Sequence, residues 1–221
     1  MKIILFGASG MIGQGVLREC LLDPEITSVL SVGRSSVGQQ NDKLRELVCK
    51  DLYQLDPIKP LFSGYDACFF CLGVSSAGMT EADYNHVTYD LTIYIARILV
   101  QLNSNMAFIY ISGMGADRSE KGRSMWARVK GKTENALLLL PFKSAYMFRP
   151  GLIQPMHGIK SKTKLYRILY TFTAPLIPVL TALFPKYVTT TERLGRAMIY
   201  VAKHGAPNPI IETQEINALA K

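Results

Sequence analysis

The chain is poor in the residues that build metal sites and disulfide frameworks. Its 221 residues include three histidines and four cysteines. The histidines are His86, His157 and His204, and the cysteines are Cys20, Cys49, Cys68 and Cys71. Because the histidines are far apart and show no ligand spacing, we expect no metal site. The cysteines lie in or beside apolar runs, which is typical of small buried residues in a reducing cytosol.

One cysteine pair matches the C-x-x-C pattern of redox and zinc sites. Cys68 and Cys71 both fall within a predicted strand. Residues three apart on a strand point to opposite faces, so we expect neither a redox pair nor a metal knuckle from this pattern.

The chain also lacks a dense cluster of one charge. The formal net charge is +8, but the basic residues are scattered, apart from Lys160, Lys162 and Lys164. We therefore expect no nucleic-acid groove, while the positive balance favours anionic partners such as phosphorylated cofactors or acidic lipids. Because Met1 leads directly into the first strand, no room is left for a signal peptide, and we expect a cytoplasmic protein.

A glycine-rich turn opens the chain. The apolar run Lys2–Phe6 is followed at once by Gly7-Ala8-Ser9-Gly10-Met11-Ile12-Gly13, and then by a helix-compatible stretch over residues 14–22. Strand, glycine turn and helix in this order hold a dinucleotide pyrophosphate, because backbone can approach the phosphates and the helix N-terminus favours an anion. The spacing is G-x-x-G-x-x-G, which differs from the commonest fingerprint. We predict that residues 7–13 bind the cofactor; a purely structural turn is the alternative.

The residue after the second strand selects between NAD(H) and NADP(H). The predicted strand over residues 28–32 is followed by Gly33 and Arg34, with no acidic residue nearby. An acidic residue there would bind the ribose hydroxyls of NAD, whereas an arginine pairs with the 2′-phosphate of NADP. The sequence therefore favours NADP(H) over NAD(H), and the alternative for Arg34 is an ordinary solvated charge.

A third candidate contact follows a short strand at residues 47–49, after an exposed loop over residues 35–44. Asp51 and Leu52 come at the end of this strand, where the sheet edge lines the ligand crevice, so we predict that they lie at the adenine. The alternative for Asp51 is a helix cap for residues 53–56.

The rest of the chain alternates apolar strands with amphipathic helices. Strands are predicted over residues 66–72, 106–111 and 145–149, and helices over residues 80–102 and 124–140. The apolar stripe of the longest helix is formed by Val87, Leu91, Ile95, Ile98 and Leu102. Gly73 ends its strand and is expected to let backbone approach the cofactor near the nicotinamide-side ribose. This alternation predicts an α/β protein, a Rossmann-type doubly wound parallel sheet in a three-layer sandwich that forms one domain over residues 1–221.

Five segments resemble the short-chain dehydrogenase/reductase superfamily. They are Gly7–Gly13, Phe70–Gly73, Tyr110–Asp117, Val129–Glu134 and Phe148–Gly151. More narrowly, the chain resembles the atypical NAD(P)-binding branch that includes Tat-interacting-protein oxidoreductase-like and nucleoside-diphosphate-sugar epimerase-like proteins. The resemblance spans residues 1 to about 153. It implies a Rossmann fold and adds to the expected cofactor contacts Cys71, Leu72, Gly73, Pro150, Gly151, Leu152 and Ile153.

The resemblance also implies catalytic roles for Ser112 and Lys130. In this superfamily a tyrosine lies four residues before a lysine on one helix, and a serine lies at the preceding strand end. Ser112 matches the serine and Lys130 the lysine, which also holds the nicotinamide ribose, but Trp126 stands at the tyrosine position. An indole N–H has no proton that titrates in the useful range, so Trp126 does not replace a phenol as acid or base. Tyr84, Tyr89 and Tyr110 are candidate substitutes, and the spacing selects none of them.

Two functional hypotheses follow from this departure. In the first, the chain is an NADP(H)-dependent oxidoreductase or isomerase acting on a small hydrophobic carbonyl or hydroxyl substrate. In the second, it is a non-catalytic NADP(H)-binding regulator or assembly factor. The sequence predicts neither the identity of the substrate nor the oligomeric state.

The C-terminal third matches the superfamily only loosely. Residues 165–184 form an apolar run that Arg167, Pro175 and Pro178 interrupt, so we do not expect a membrane-spanning helix. We predict that residues 154–190 form a small, mainly helical cap or lid over the substrate cleft. The alternative is peripheral contact of residues 160–184 with an anionic membrane or a protein partner. A capping pattern at residues 189–192 then predicts a helix through residue 202.

Overall fold

A parallel sheet forms the centre of the computed structural model, which describes residues 1–159 and 186–220. The strands of this sheet are β1 (Lys2–Phe6), β2 (Ser28–Gly33), β3 (Leu44–Val48), β4 (Ala67–Phe70), β5 (Ala107–Ile111), β6 (Ser144–Arg149) and β9 (Ile210–Glu212). They lie in the order β3-β2-β1-β4-β5-β6-β9, and every neighbouring pair is parallel. The order reverses direction at β1, which confirms the predicted doubly wound sheet.

Helices cover both faces of the sheet. They are α1 (Met11–Leu22), a 3-10 helix (Asp56–Phe62), α2 (Glu81–Asn85), α3 (Leu91–Leu102), α4 (Met125–Leu138), α5 (Thr191–His204) and α6 (Thr213–Leu219). Ile3 and Leu5 of β1 pack with α1, α5 and α6, whereas Ile4 and Phe6 pack with the 3-10 helix, α3 and α4. The strands are apolar at successive positions because both faces are buried, and the three-layer α/β/α sandwich is confirmed.

Two predicted boundaries in the sheet are wrong. β3 begins at Leu44, inside the predicted loop, because the polar Arg45 and Glu46 of this edge strand hide its pairing with β2. β4 ends at Phe70, before the predicted end at residue 72. The Cys71 N–H still donates to the carbonyl of Phe6 (2.9 Å), but the chain of β1 turns away at Gly7 and leaves no further partner.

The helix predicted over residues 80–102 contains a π-helical turn at His86–Asp90. The helix begins as predicted at Thr80, whose side chain accepts from the N–H of Asp83 (3.2 Å). The wider turn rotates the residues that precede it relative to those that follow. Val87 of the predicted apolar stripe is therefore 36% exposed, and Thr88 is buried instead.

The C-terminal part returns to the main sheet. β7 (Leu152–Gln154) pairs in parallel with β8 (Val188–Thr190) in a separate two-stranded sheet, so strands bracket the predicted cap. Residues 160–185, which carry the lysine group and the apolar run, lie outside the described residues. Thr190 caps α5, which continues to His204, and residues 210–219 add β9 and α6. Within the described ranges, no helix has the length and apolar character that crossing a membrane requires.

Asn103 ties the end of α3 to the chain that leads into β4. Its side chain is buried, and its Oδ1 accepts from the backbone N–H groups of Gly64 (2.8 Å) and Tyr65 (3.1 Å). Its Nδ2 donates to the carbonyl oxygens of Phe62 (2.8 Å) and Leu99 (3.3 Å). One amide therefore pairs four backbone groups from two distant parts of the chain, residues 62–65 and Leu99.

Replacing Asn103 with alanine is expected to lower the free energy of unfolding by about 2–3 kcal/mol, because buried backbone groups lose their partners. Chemical denaturation monitored by circular dichroism measures this change. Asn105→Ala, two residues later and exposed, is the matched control and is expected to change stability by no more than about 0.5 kcal/mol. Equal effects of the two substitutions on the free energy of unfolding would contradict the role of Asn103 as the partner of these backbone groups.

Candidate functional site

The glycine turn after β1 is built by two close backbone approaches. Gly7 has φ +84°, and a Cβ there would lie 2.8 Å from the carbonyl carbon of Cys71. A Cβ on Gly13 would lie 2.0 Å from the carbonyl oxygen of Gly7. Neither position accepts a side chain, so both glycines of the predicted fingerprint are required by the geometry of the turn.

The turn delivers the N-terminus of α1 to the edge of the sheet. Gly10 is the N-cap and has no side chain to cap the helix, and the first turn contains no acidic residue. The first backbone bond of the helix runs from Gln14 N–H to the carbonyl of Gly10 (2.8 Å), so the N–H groups of residues 11–13 lack intrahelical partners. Free N–H groups and the positive end of the helix dipole together suit an anionic group.

A cleft of about 590 Å³ lies at the carboxyl ends of β1, β4, β5 and β6. The lining residues that the sequence predicted are Gly10, Met11, Ile12, Cys71, Leu72, Gly73, Ser112, Lys130, Pro150, Gly151, Leu152 and Ile153. The sequence did not single out Val74, Ser75 and Ile111, which also line it. Sheet topology thus brings five separate stretches of chain to one edge.

Some predicted cofactor residues lie elsewhere. Gly7, Ala8, Ser9 and Gly13 form the back of the turn and are not among the residues that line the cleft.

Three further predicted contacts also lie away from the cleft. Arg34 is exposed beyond β2, and the side chain of Leu52 is buried in the core. Asp51 accepts from the N–H of Tyr53 (2.9 Å), so its carboxylate already caps a turn, although the 3-10 helix begins later, at Asp56. Its side chain favours the capping alternative.

Lys130 places a buried cation at the cleft. It is 8% exposed, and its Nζ donates to the carbonyl of Ile111 (3.0 Å) and lies 4.7 Å from the ring centroid of Tyr110. Burial lowers the pKa of Lys130 to about 8, although the nearby Glu134 carboxylate acts in the opposite direction. An ammonium carries three N–H donors, so donors remain for a ligand.

Ser112 contacts a buried carboxylate that the sequence did not single out as a site residue. Its Oγ donates to Oε1 of Glu134 at 2.5 Å, and Glu134 is fully buried. Arg149 donates from Nε to the same oxygen (2.9 Å) and from Nη2 to Oε2 (2.5 Å). Nη1 of Arg149 reaches Oε1 of Glu212 at 3.2 Å, which links the serine to the end of β9.

Trp126 packs on the loop that follows β5. A Cβ on Gly113 would lie 3.7 Å from its Cζ3, and a Cβ on Gly115, where φ is +90°, would lie 3.6 Å from its Cη2. The indole therefore covers Gly113 and Gly115 in the loop that follows Ser112. It is not among the residues that line the cleft.

The three candidate tyrosines also lie away from the cleft lining. Tyr84 and Tyr110 are buried in the core, and burial raises the pKa of both phenols. Tyr89 is partly buried against the core, and its ring centroid lies 4.1 Å from Nζ of Lys132. The structure brings none of the three to the position that a catalytic phenol would need.

Apolar side chains surround the mouth of the cleft. Val74, Met114 and Tyr187 are large, and they are 48%, 39% and 55% exposed. A Cβ on Gly151 would lie 3.0 Å from Cε of Met114 and 2.4 Å from the carbonyl oxygen of Tyr187, so both residues adjoin the cleft wall. The mouth offers apolar contact area next to the polar floor formed by Ser112 and Lys130.

Comparison with known proteins identifies relatives at moderate sequence identity. No protein-family model matches the chain. Over 156 residues it is 29% identical to protein HTATIP2 of Rattus norvegicus, covering 69% of this chain and 62% of the relative. Over 165 residues it is 27% identical to protein fmp52, mitochondrial, of Emericella nidulans, covering 69% and 66%. The matched stretch thus spans less than two thirds of either relative.

Solved structures share the fold at lower identity. A short chain dehydrogenase family protein from Francisella tularensis superposes with a TM-score of 0.63 at 15% identity, covering 92% of this chain and 91% of that one. DesIV, a dTDP-glucose 4,6-dehydratase from Streptomyces venezuelae with NAD and TYD bound, gives a TM-score of 0.69 at 13% identity, covering 100% and 80%. Both likenesses establish the Rossmann-type architecture.

Gly13, in the turn, and Gly73, in the cleft lining, are expected to respond differently to alanine. Gly13→Ala places a methyl group against the Gly7 carbonyl and is expected to cost about 1–3 kcal/mol of unfolding free energy. Gly73→Ala is the matched control, because no atom lies within 4 Å of its added Cβ. Thermal and denaturant unfolding measure both. A stable Gly13→Ala protein would contradict the described turn.

Proposed function

We propose that the chain binds NADP(H) in the cleft and acts as an oxidoreductase or isomerase on a small hydrophobic carbonyl or hydroxyl substrate. The premise of this proposal is that the chain belongs to the atypical branch of the short-chain dehydrogenase/reductase superfamily. The observation that carries this proposal is the continuity of the glycine turn with the cleft. The uncapped N-terminus of α1 and the buried Lys130 both line this cleft.

The residues present fit a nicotinamide dinucleotide. The N–H groups that open α1 would bind its pyrophosphate, and the open space at Gly73 allows a ribose to approach backbone. Lys130, which already donates to the Ile111 carbonyl, would donate to ribose hydroxyls with its remaining protons. When bound, the nicotinamide supplies hydride transfer.

A preference for NADP(H) is supported by Arg34. Its side chain is exposed just beyond β2, and no ion pair to it is found within residues 1–159 and 186–220. A free guanidinium at that strand end suits a 2′-phosphate. An apolar substrate is supported by Val74, Met114 and Tyr187 at the cleft mouth.

A non-catalytic regulator or assembly factor is the second candidate, and Trp126 favours it. The indole packs against the loop after β5, where it has no acid/base chemistry to offer. In this role the same cleft would hold the cofactor, and its occupancy would change a surface that a partner contacts.

Location and partners stay predictions. The sequence favours the cytoplasm and, as the alternative to a cap, a peripheral membrane or protein contact through residues 160–184, which lie outside the described residues. The fungal relative is named a mitochondrial protein.

Titration with NADPH and NADH tests the cofactor. We expect NADPH to bind more tightly, and Arg34→Ala to weaken NADPH by about 10-fold while changing NADH little, because only NADPH carries the 2′-phosphate. Calorimetry or nicotinamide fluorescence measures both affinities. Arg45→Ala, an exposed arginine on β3, is the matched charge control. Binding of neither dinucleotide would overturn the proposed function, whereas equal affinities would remove only the preference.

Restoring a phenol separates the two candidates. If the chain is an oxidoreductase that lost its acid, Trp126→Tyr is expected to raise turnover of small apolar alcohols and ketones by about 100-fold or more, the usual contribution of a positioned acid or base. Cofactor absorbance at 340 nm follows the reaction. Unchanged inactivity with intact NADPH binding would favour the regulator. Trp126→Phe, which keeps the packing without a hydroxyl, is the control.

A further inference from the structure

The hydrogen bond between Ser112 and Glu134 has a defined direction. Arg149 is partly buried and binds both carboxylate oxygens of Glu134, and its pKa is raised, chiefly by this hydrogen bond. A carboxylate held by a guanidinium fork is ionised and only accepts hydrogen bonds. In the 2.5 Å contact with Glu134, Ser112 must therefore be the donor.

This direction decides what Ser112 can offer to a ligand. A hydroxyl has one proton and two lone pairs, and here the proton is used by Glu134. Ser112 lines the cleft, so what it presents there is an acceptor. The donor on the same side of the cleft is Lys130, which lies one helical turn before Glu134 on α4.

We propose that Glu134 is a positioning residue that makes Ser112 a hydrogen-bond acceptor, so that the cleft selects an alcohol over the corresponding ketone at this atom. The inference rests on the proposed function and specifies the substrate class of the same site. A ketone carbonyl has no proton to donate and gains nothing from an acceptor. An alcohol hydroxyl donates to Ser112 with its own proton.

The cost of the network supports a role beyond stability. Glu134 is fully buried, and removing an ion pair from water carries a desolvation cost that the attraction between the two charges recovers only in part. An apolar pair of similar volume would hold α4 against β6 at least as well. An apolar pair would not accept the hydrogen bond from Ser112 and so would not hold its proton in one direction.

Binding of a matched pair of probes tests the inference. Cyclohexanol is titrated into the protein–NADPH complex and cyclohexanone into the protein–NADP⁺ complex, since neither combination can react. Ser112→Ala is expected to weaken cyclohexanol by about 10-fold and to change cyclohexanone by less than about 2-fold. A larger loss for cyclohexanone would overturn the inference, as would failure of both probes to bind the wild-type complexes.

Two further variants separate positioning from general damage. Glu134→Gln is expected to reduce the discrimination between the probes, because an amide can donate to Ser112 and free its proton. Glu212→Gln removes charge from the other partner of Arg149 without touching Ser112, and is expected to keep the wild-type discrimination. Discrimination that survives in Glu134→Gln would assign Glu134 a structural role only.

A spectroscopic measurement tests the premise without any ligand. In protein labelled with ¹³C at glutamate carboxyls, the infrared difference between wild type and Glu134→Gln is expected to show an ionised carboxylate at pH 7. A protonated carboxyl band would overturn the inference. NADPH titration of the same samples distinguishes the two failures: loss of cofactor binding counts against the proposed function, whereas intact binding without probe discrimination counts against this inference alone.

Discussion

The contact of backbone with backbone at Gly7 and Gly13 constrains everything around the cleft. Gly7 touches the chain that leaves β4, and Gly13 touches Gly7. These approaches set the distance between α1 and the centre of the sheet, at the point where the strand order reverses. Because a crevice opens at such a reversal, the same contacts that close the turn also define the place where a ligand fits. The same turn therefore positions residues 10–12, which line the cleft.

The polar groups beneath the cleft lie in an apolar environment that disfavours buried charge. Most of the sheet is sealed on both faces by aliphatic and aromatic side chains. Lys130, Glu134 and Arg149 place three ionisable groups into this environment, where each would be costly alone. They are tolerated because each has a defined partner. Such buried, oriented charges are concentrated where a structure must hold a ligand in one orientation.

Local patterns predicted most of the fold, because the features involved are local. The turn around Gly7 depends on neighbouring residues, and the buried strands are recognisable in the sequence as apolar runs. β3 was placed too late because an edge strand exposes residues such as Arg45 and Glu46. The π-helical turn was missed because one extra residue in a turn leaves no mark on composition, and Val87 was then assigned to the wrong face.

The site was predictable only in part, for a different reason. Cleft residues at strand ends follow from topology, which the strand pattern predicts. The partner of Ser112 does not, because Glu134 on a helix gives the pattern of an ordinary solvated charge. Its burial depends on Arg149, which lies on β6 and becomes a neighbour only once the sheet has formed. Likewise, the sequence flagged the absence of a phenol at Trp126 but not that the indole would cover Gly113 and Gly115.

Lys130 is a buried cation that a ligand in the cleft would help to satisfy. Burial lowers its pKa from 10.5 to about 8, so the folded protein disfavours the charged form. A shift of this size corresponds to about 3 kcal/mol of destabilisation near neutral pH, relieved as the pH rises from about 8 towards 10.5, where the unfolded chain also loses its proton. Any ligand that accepts hydrogen bonds from the ammonium offsets part of this cost. The cleft thus keeps a cation that lowers the stability of the fold and that would gain hydrogen-bond partners from a ligand.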